Sequence, residues 1–346
     1  MLFSSYVTSP REAVVLLEFD ADQRLWQETV RDAVSKQCPP TLVRSIAEDG
    51  VDPSPLWKTY VDAGWTELTD PENAVELAIV LEELGRATDP TPFLATLTQF
   101  APLAGDRFDS QQAGTAVYGG VTAHRDADGW VLHGTAHHVL DGDRAERLAV
   151  VTDAGVFIID ASEAVARRSP VFDPVLHIAE VSFDGLHVPD TDRVHVDAER
   201  ARHVALTGMA ITTVGACQRI LDLVLEHVKQ RQQFGVAIGT FQAVQHKAVD
   251  MHVATERARA LSYFAALTIS ADDPRRRLAA AMAKAAAGEC QAVVFRHGLQ
   301  LFGAMGFTWE NDLQFALKRA KAGELMLGGA AEHRAIIAEE FNAADL

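Results

Sequence analysis

The chain has 346 residues, 48% of them hydrophobic, and a formal net charge of −17. That length allows one to three domains and a sizeable core. So acidic a chain is not built to bind nucleic acid through a diffuse basic surface, although a local anion pocket stays open to it. Cys38, Cys217 and Cys290 are scattered, form no C-x-x-C pair and have no metal spacing, which fits buried thiols in a reducing cytoplasm. The N-terminal stretch "MLFSSYVTSPREAVVLLEFD" places Arg11 and Glu12 before a short apolar run, so no signal peptide is expected. No uncharged apolar run approaches membrane-spanning length.

From about Asp20 to Leu103 the pattern is helical. "ADQRLWQETVRDAVSKQ" carries a stripe of Trp26, Val30 and Ala33. "PSPLWKTYVDAGW" opens with prolines suited to a first turn and stops at Gly64. "PENAVELAIVLEELGRA" puts Ala74, Leu77, Ala78, Leu81 and Leu84 on one face, and "TPFLATLTQFAPLAG" is a fourth apolar helix. The texture then changes. From Gly114 to about Val196 short alternating runs are divided by turn signals: Asp-Gly at 128–129, 141–142 and 184–185, and Asp153-Ala154-Gly155. This predicts a small antiparallel β domain. From about Asp197 the chain is helical again. A first helix near Glu199–Gln232 would be roughly 50 Å long at 1.5 Å per residue. Two more of similar scale and two shorter ones, near 311–322 and 331–342, predict a bundle. The expected fold is α+β, with a helical domain over 1–107, a β domain over 108–196 and a helical bundle over 197–346.

Two segments make that order specific: "RQQFGVAIGTFQAVQHKAVDM" and "QLFGAMGFTWENDLQFALKRAKA". Together they resemble the acyl-CoA dehydrogenase family of flavoproteins. The resemblance is strong in the C-terminal bundle, moderate in the N-terminal helices and weak in the β region. It implies a tetramer built as a dimer of dimers, with FAD lying between two subunits. One subunit would supply the flavin-ring pocket and acyl-CoA cleft, and its neighbour would grip the adenosine diphosphate half. On that pattern Arg231 would pair with the pyrophosphate, since a guanidinium is always charged and bonds in a fork. Phe234 would cover the adenosine side, with Gln233 beside it. Gln242 and His246 would face the corner from the next helix, and Gln300 and Gly303 would complete the cradle. Taken singly, Arg231 reads as a solvated helix-end arginine and Phe234 as a core staple.

The flavin-ring side departs from the family pattern. The family's Thr-Glu-Pro and Gly-Ser-Asp loop is replaced by "SQQAGTAVYGGVTAHRDADGW". His137 and His138 are read as structural or surface residues, because adjacent strand positions face opposite ways and no third metal ligand has suitable spacing. Of the family's two locations for the catalytic glutamate, one falls on Leu327 and the other on Ala205, and neither accepts a proton. Glu199, Glu324 and Glu332 lie nearby and read as solvated or capping charges. A chain with the adenosine grip but without the base resembles the degenerate, β-type partner in α2β2 heterotetrameric dehydrogenases of bacterial steroid side-chain catabolism. The expectation is therefore an oxidoreductase subunit of lipid metabolism with no catalytic residue of its own. It would complete the FAD site of a homologous catalytic subunit that holds the acyl-CoA, with an electron-transfer flavoprotein as acceptor. Two alternatives stand beside it: a homotetrameric dehydrogenase with a displaced base, and a flavin-free scaffold or acyl-CoA binder. No membrane, nucleic-acid or metal partner is expected, and the location expected is cytoplasmic.

Overall fold

A computed structural model describes residues 18–342. The N-terminal stretch read for a signal peptide lies almost wholly outside the described residues. Helix α1 (Ala21–Gln37) begins at a capping box in which the Asp20 carboxylate accepts from the Gln23 amide at 2.8 Å. Helix α2 (Pro40–Asp49) follows, then α3 (Ser54–Asp62) and α4 (Ala74–Ala87). The sequence pattern had not predicted α2: it is only ten residues long and starts in a proline pair, which reads as a break although proline is suited to a first helical turn. Its end at Gly50 (φ 68°) is a left-handed cap. Short helices α5 (Phe93–Ala95) and α6 (Ala101–Ala104) are joined by a π-helical turn over Thr96–Phe100.

Rather than one apolar face, α4 buries nearly its whole circumference, including Glu82 and Glu83. The cause is its position between α1 and the long helices of the C-terminal half. Both carboxylates are paired: Glu82 accepts from Arg259 at 2.8 Å and Tyr263 at 2.9 Å, and Glu83 from Arg31 at 2.7 Å. Buried charges survive only with such partners.

The middle region forms two four-stranded sheets. Strands β1 (Gly114–Tyr118), β2 (Val121–Asp126), β3 (Gly129–Leu140), β4 (Arg147–Thr152), β5 (Gly155–Asp160), β6 (Val165–Arg168), β7 (Ile178–Val188) and β8 (Arg193–Val194) are ordered β1-β4-β5-β8 and β2-β3-β7-β6. Leu132, Val150, Phe157 and Val181 pack between them. All pairings are antiparallel except β1–β4, which is parallel. The chain turns from the first sheet to the second at Gly119-Gly120, both at positive φ (75° and 73°). Asp184-Gly185 is not a turn, as the sequence suggested, but an irregularity inside β7. The register shifts between Leu132 and His133 opposite it, and Gly185 (φ 70°) absorbs the extra residue.

Helix α7 (Ala198–Gln230) leads through a small hairpin, β9 (Gln232–Gln233) and β10 (Val236–Ala237), to α8 (Gln242–Ser270). Helices α9 (Arg276–Phe302), α10 (Leu313–Leu325) and α11 (Ala330–Glu340) complete the bundle. By length and hydropathy alone α7 and α9 could cross a membrane, but 83% and 67% of those windows are buried inside the fold. Gly85 of α4 and Gly215 of α7 let these helices touch. A Cβ on Gly85 would meet the Thr212 carbonyl, and one on Gly215 the Glu82 carbonyl. A buried arginine ties the three regions together. Arg319 of α10 pairs with Asp173 of the β region at 3.2 Å and donates to the Asp89 carbonyl, after α4, at 2.8 Å.

Candidate functional site

The ends of three long helices meet at one corner. Arg231 caps α7: its amide donates to the His227 carbonyl at 2.8 Å and its own carbonyl accepts from Ile238 at 2.8 Å. The first bond ends α7 and the second closes the β9–β10 hairpin, whose turn is Phe234-Gly235 with φ of 54° and 81°. A two-residue turn with both centres at positive φ normally takes Asn-Gly, and a bulky residue there is strained. The Phe234 ring is 92% exposed and meets Phe241 edge-to-face at 6.2 Å, so it is not a core staple. The Gln233 amide folds back on the Gln232 carbonyl at 2.8 Å. Gln242 opens α8, and His246 lies one turn on; both are exposed.

The end of α9 completes the corner. Gln300 accepts from Lys247 of α8 at 2.6 Å, and the Phe302 ring stacks on His227 of α7 at 4.4 Å and 14°. Gly303 ends α9 at φ 63° and ψ −143°, with no atom within 4 Å of a would-be Cβ, so its backbone is open to a close approach. Burial and the neighbouring Arg231 charge lower the His227 pKa, and burial followed by Lys247 lowers that of His297. In a chain of net charge −17 this corner gathers Arg231 and Lys247. Arg231 makes no ion pair among the described residues. Lys247, His227 and Phe302 were missed in the sequence. Lys247 stands next to His246 in the quoted motif, but only the fold brings it to Gln300, 53 residues on.

The second feature is a cleft of 690 Å³ between the β region and α7 and α10. His137 and His138 both line it. The expectation that they face opposite ways fails because β3 bulges there: the register shifts between Ala136 and Val139, and His138 takes φ 61°. His137 pairs with Glu180 at 3.0 Å. Leu327 lines the same cleft in left-handed backbone, φ 58°. Its loop is held from below. The fully buried Lys284 of α9 donates to the Glu324 carbonyl at 2.9 Å and the Gly328 carbonyl at 2.7 Å, and His333 Nε2 meets the Leu327 carbonyl at 3.0 Å. Burial pushes Lys284 down to about 8 and lowers the His333 pKa. Ala205 is buried within α7. None of the nearby glutamates lines the cleft. Glu324 pairs with Lys321 at 2.8 Å, Glu332 accepts from the Gly329 amide at 3.3 Å at the start of α11, and Glu199 is exposed beside Arg277 at 3.8 Å.

Comparison with known proteins places this architecture. The family model for the acyl-CoA dehydrogenase C-terminal domain matches residues 200–341. Over 339 residues, 92% of this chain and 99% of the relative, the sequence is 31% identical to acyl-CoA dehydrogenase IpdE2 of Mycolicibacterium smegmatis. The chain belongs to the acyl-CoA dehydrogenase family, flavoprotein oxidoreductases acting on acyl-CoA thioesters. Among solved structures, the ChsE4-ChsE5 complex from Mycobacterium tuberculosis superposes with a TM-score of 0.85 at 22% identity, covering 95% of this chain and 99% of that one. The Tcur3481-Tcur3483 steroid ACAD gives 0.80 at 23% identity over 94% and 98%.

Proposed function

We propose that this chain is the non-catalytic subunit of a heteromeric, FAD-dependent acyl-CoA dehydrogenase acting on a bulky, steroid-type acyl thioester. The observation that carries the reading is the cleft itself: Leu327, which the resemblance sets at the family's glutamate position, lines it, and among the described residues the only carboxylate lining it, Asp173, is buried against Arg319. A general base must reach the proton it removes, and no lining group here is a free carboxylate. The printed titles of two structural relatives, a ChsE4-ChsE5 complex and a Tcur3481-Tcur3483 steroid ACAD, support a paired assembly and a steroid substrate.

The corner fits the adenosine diphosphate half of FAD. Arg231 and Lys247 supply charge for a pyrophosphate, Gly303 supplies open backbone, and Gln300, Gln242 and His246 supply polar side chains. Phe234 displays a ring for stacking. The cleft fits the flavin ring less well. Strand β1 passes to β2 through only Gly119-Gly120, so the family's flavin-bonding loop has no counterpart there. Bound FAD would accept the hydride from the substrate in the partner's cleft, with an electron-transfer flavoprotein as the next acceptor. Exposed apolar side chains at and beside the corner, Phe307 (76%), Val253 (59%) and Val249 (57%), suit a partner surface.

The test is base removal. In the complex purified with its partner, Glu199→Gln, Glu324→Gln and Glu332→Gln should each leave turnover within a few-fold. Loss of a true general base costs at least about a hundredfold, so a collapse of that size with assembly intact contradicts the reading.

A further inference from the structure

The cleft that lacks a base is not blank. Three hydrogen-bond donors lie on its lining: Gln99 and Tyr118 are buried without an acceptor, and Arg202 is exposed to solvent at the rim. Gln99, on the π-helical turn, is 2% exposed, and its Nε2 has no partner. Such turns interrupt helices often at functional sites. The Tyr118 hydroxyl at the end of β1 is likewise buried without a partner. Burial pushes its pKa up to about 12, so it stays a donor. Arg202 of α7 lies over the Tyr118 ring at 5.5 Å. Unsatisfied buried donors cost free energy and call for a partner.

The charges decide which partner. Asp173 is matched by Arg319 at 3.2 Å, and the His137 ring lies 3.0 Å from Glu180, which is outside the lining. Arg202 is the only arginine or lysine lining the cleft among the described residues, and it makes no ion pair there. The lining therefore carries one uncompensated positive charge. Beyond it the wall is apolar, with Val171, Phe172, Leu325, Met326 and Leu327. A volume of 690 Å³ is that of a small-molecule site.

We propose that this cleft binds an apolar monocarboxylate, its carboxylate held by Arg202, Tyr118 and Gln99 and its apolar body lying against Phe172 and Leu325–Leu327. One cation suits one carboxylate, whereas the phosphates of a CoA ester or a dinucleotide would need more. The inference rests on the reading that no flavin ring occupies this cleft.

The test uses the complex of the full chain with its partner, saturated with FAD and titrated with 2-naphthoate and with the uncharged 2-naphthamide. One naphthoate should bind per copy of this chain, at least about tenfold tighter than the amide. Arg202→Gln should weaken naphthoate roughly tenfold to a hundredfold, the worth of a charge-assisted hydrogen bond, and leave the amide unchanged. Tyr118→Phe should weaken naphthoate severalfold and gives a second reading if the Arg202 variant fails to assemble. Equal affinity for acid and amide, no saturable site, or a site indifferent to both variants overturns the proposal. One flavin per pair of unlike chains with any of those results defeats this inference alone. Two flavins per pair defeat it together with the non-catalytic reading.

Discussion

Replacing Arg231 with Ala should weaken FAD binding without disturbing the fold of the corner. Both bonds that close the corner, Arg231 N to His227 O and Ile238 N to Arg231 O, belong to the main chain and survive the substitution. What is lost is one guanidinium that makes no ion pair among the described residues. A charge-assisted hydrogen bond is worth about 1.5–3 kcal/mol, so the dissociation constant should rise by roughly one to two orders of magnitude. Arg231 is exposed, and salt screens such a charge, so the effect should sit near the low end and shrink as ionic strength rises. Arg231→Lys should recover only part, because a point charge cannot reproduce the fork. The assay is titration of the flavin-stripped complex with FAD, followed by flavin fluorescence at low and high salt. An affinity for Arg231→Ala within twofold of the parent at low salt would mean that this stretch is only a helix corner.

Two further outcomes follow from the packing. Lys284 has a folded-state pKa of about 8 against an ordinary 10.5, so the folded chain binds fewer protons between those values. The stability it contributes is fully present above about 10.5 and is lost as pH falls toward 8. The stability difference between parent and Lys284→Met should therefore shift in the parent's favour by about 3 kcal/mol from pH 8 to 10.5, and denaturant melts showing a difference flat across that window would contradict the assignment. Gly215→Ala would press a methyl against the Glu82 carbonyl of α4. Overpacking of that kind costs about 1–3 kcal/mol, so thermal melting should come several degrees earlier, and an unchanged melting temperature would show that the helices can part freely.

Local signals in the sequence were legible where the physics was local. The 3.6-residue stripe over "ADQRLWQETVRDAVSKQ" matches α1, Ala21–Gln37. Asp153-Ala154-Gly155 marks a true turn between β4 and β5. The failures share one cause, which is that tertiary pairing decides what a local motif becomes. Asp184-Gly185 has the residues of a hairpin turn, yet β3 runs past it and makes it a bulge. His137 and His138 have strand alternation until a second bulge turns both into the cleft. Taken singly Phe234 reads as a core staple, but its place at the turn of a two-residue hairpin leaves it 92% exposed. The family motif carried the corner residues, but not Lys247, whose role depends on α8 and α9 lying side by side. Nor could spacing reveal Lys284, whose partners are main-chain carbonyls 40 and 44 residues away.

The central claim is that this chain holds half of a flavin whose ring lies in another subunit. The direct measurement is native mass and flavin content of the chain expressed alone and together with a homologous acyl-CoA dehydrogenase from its own genome. The account predicts a colourless chain alone, and a four-chain complex carrying one FAD per pair of unlike chains. A yellow homotetramer with one FAD per chain, or a colourless protein in both preparations, would contradict it.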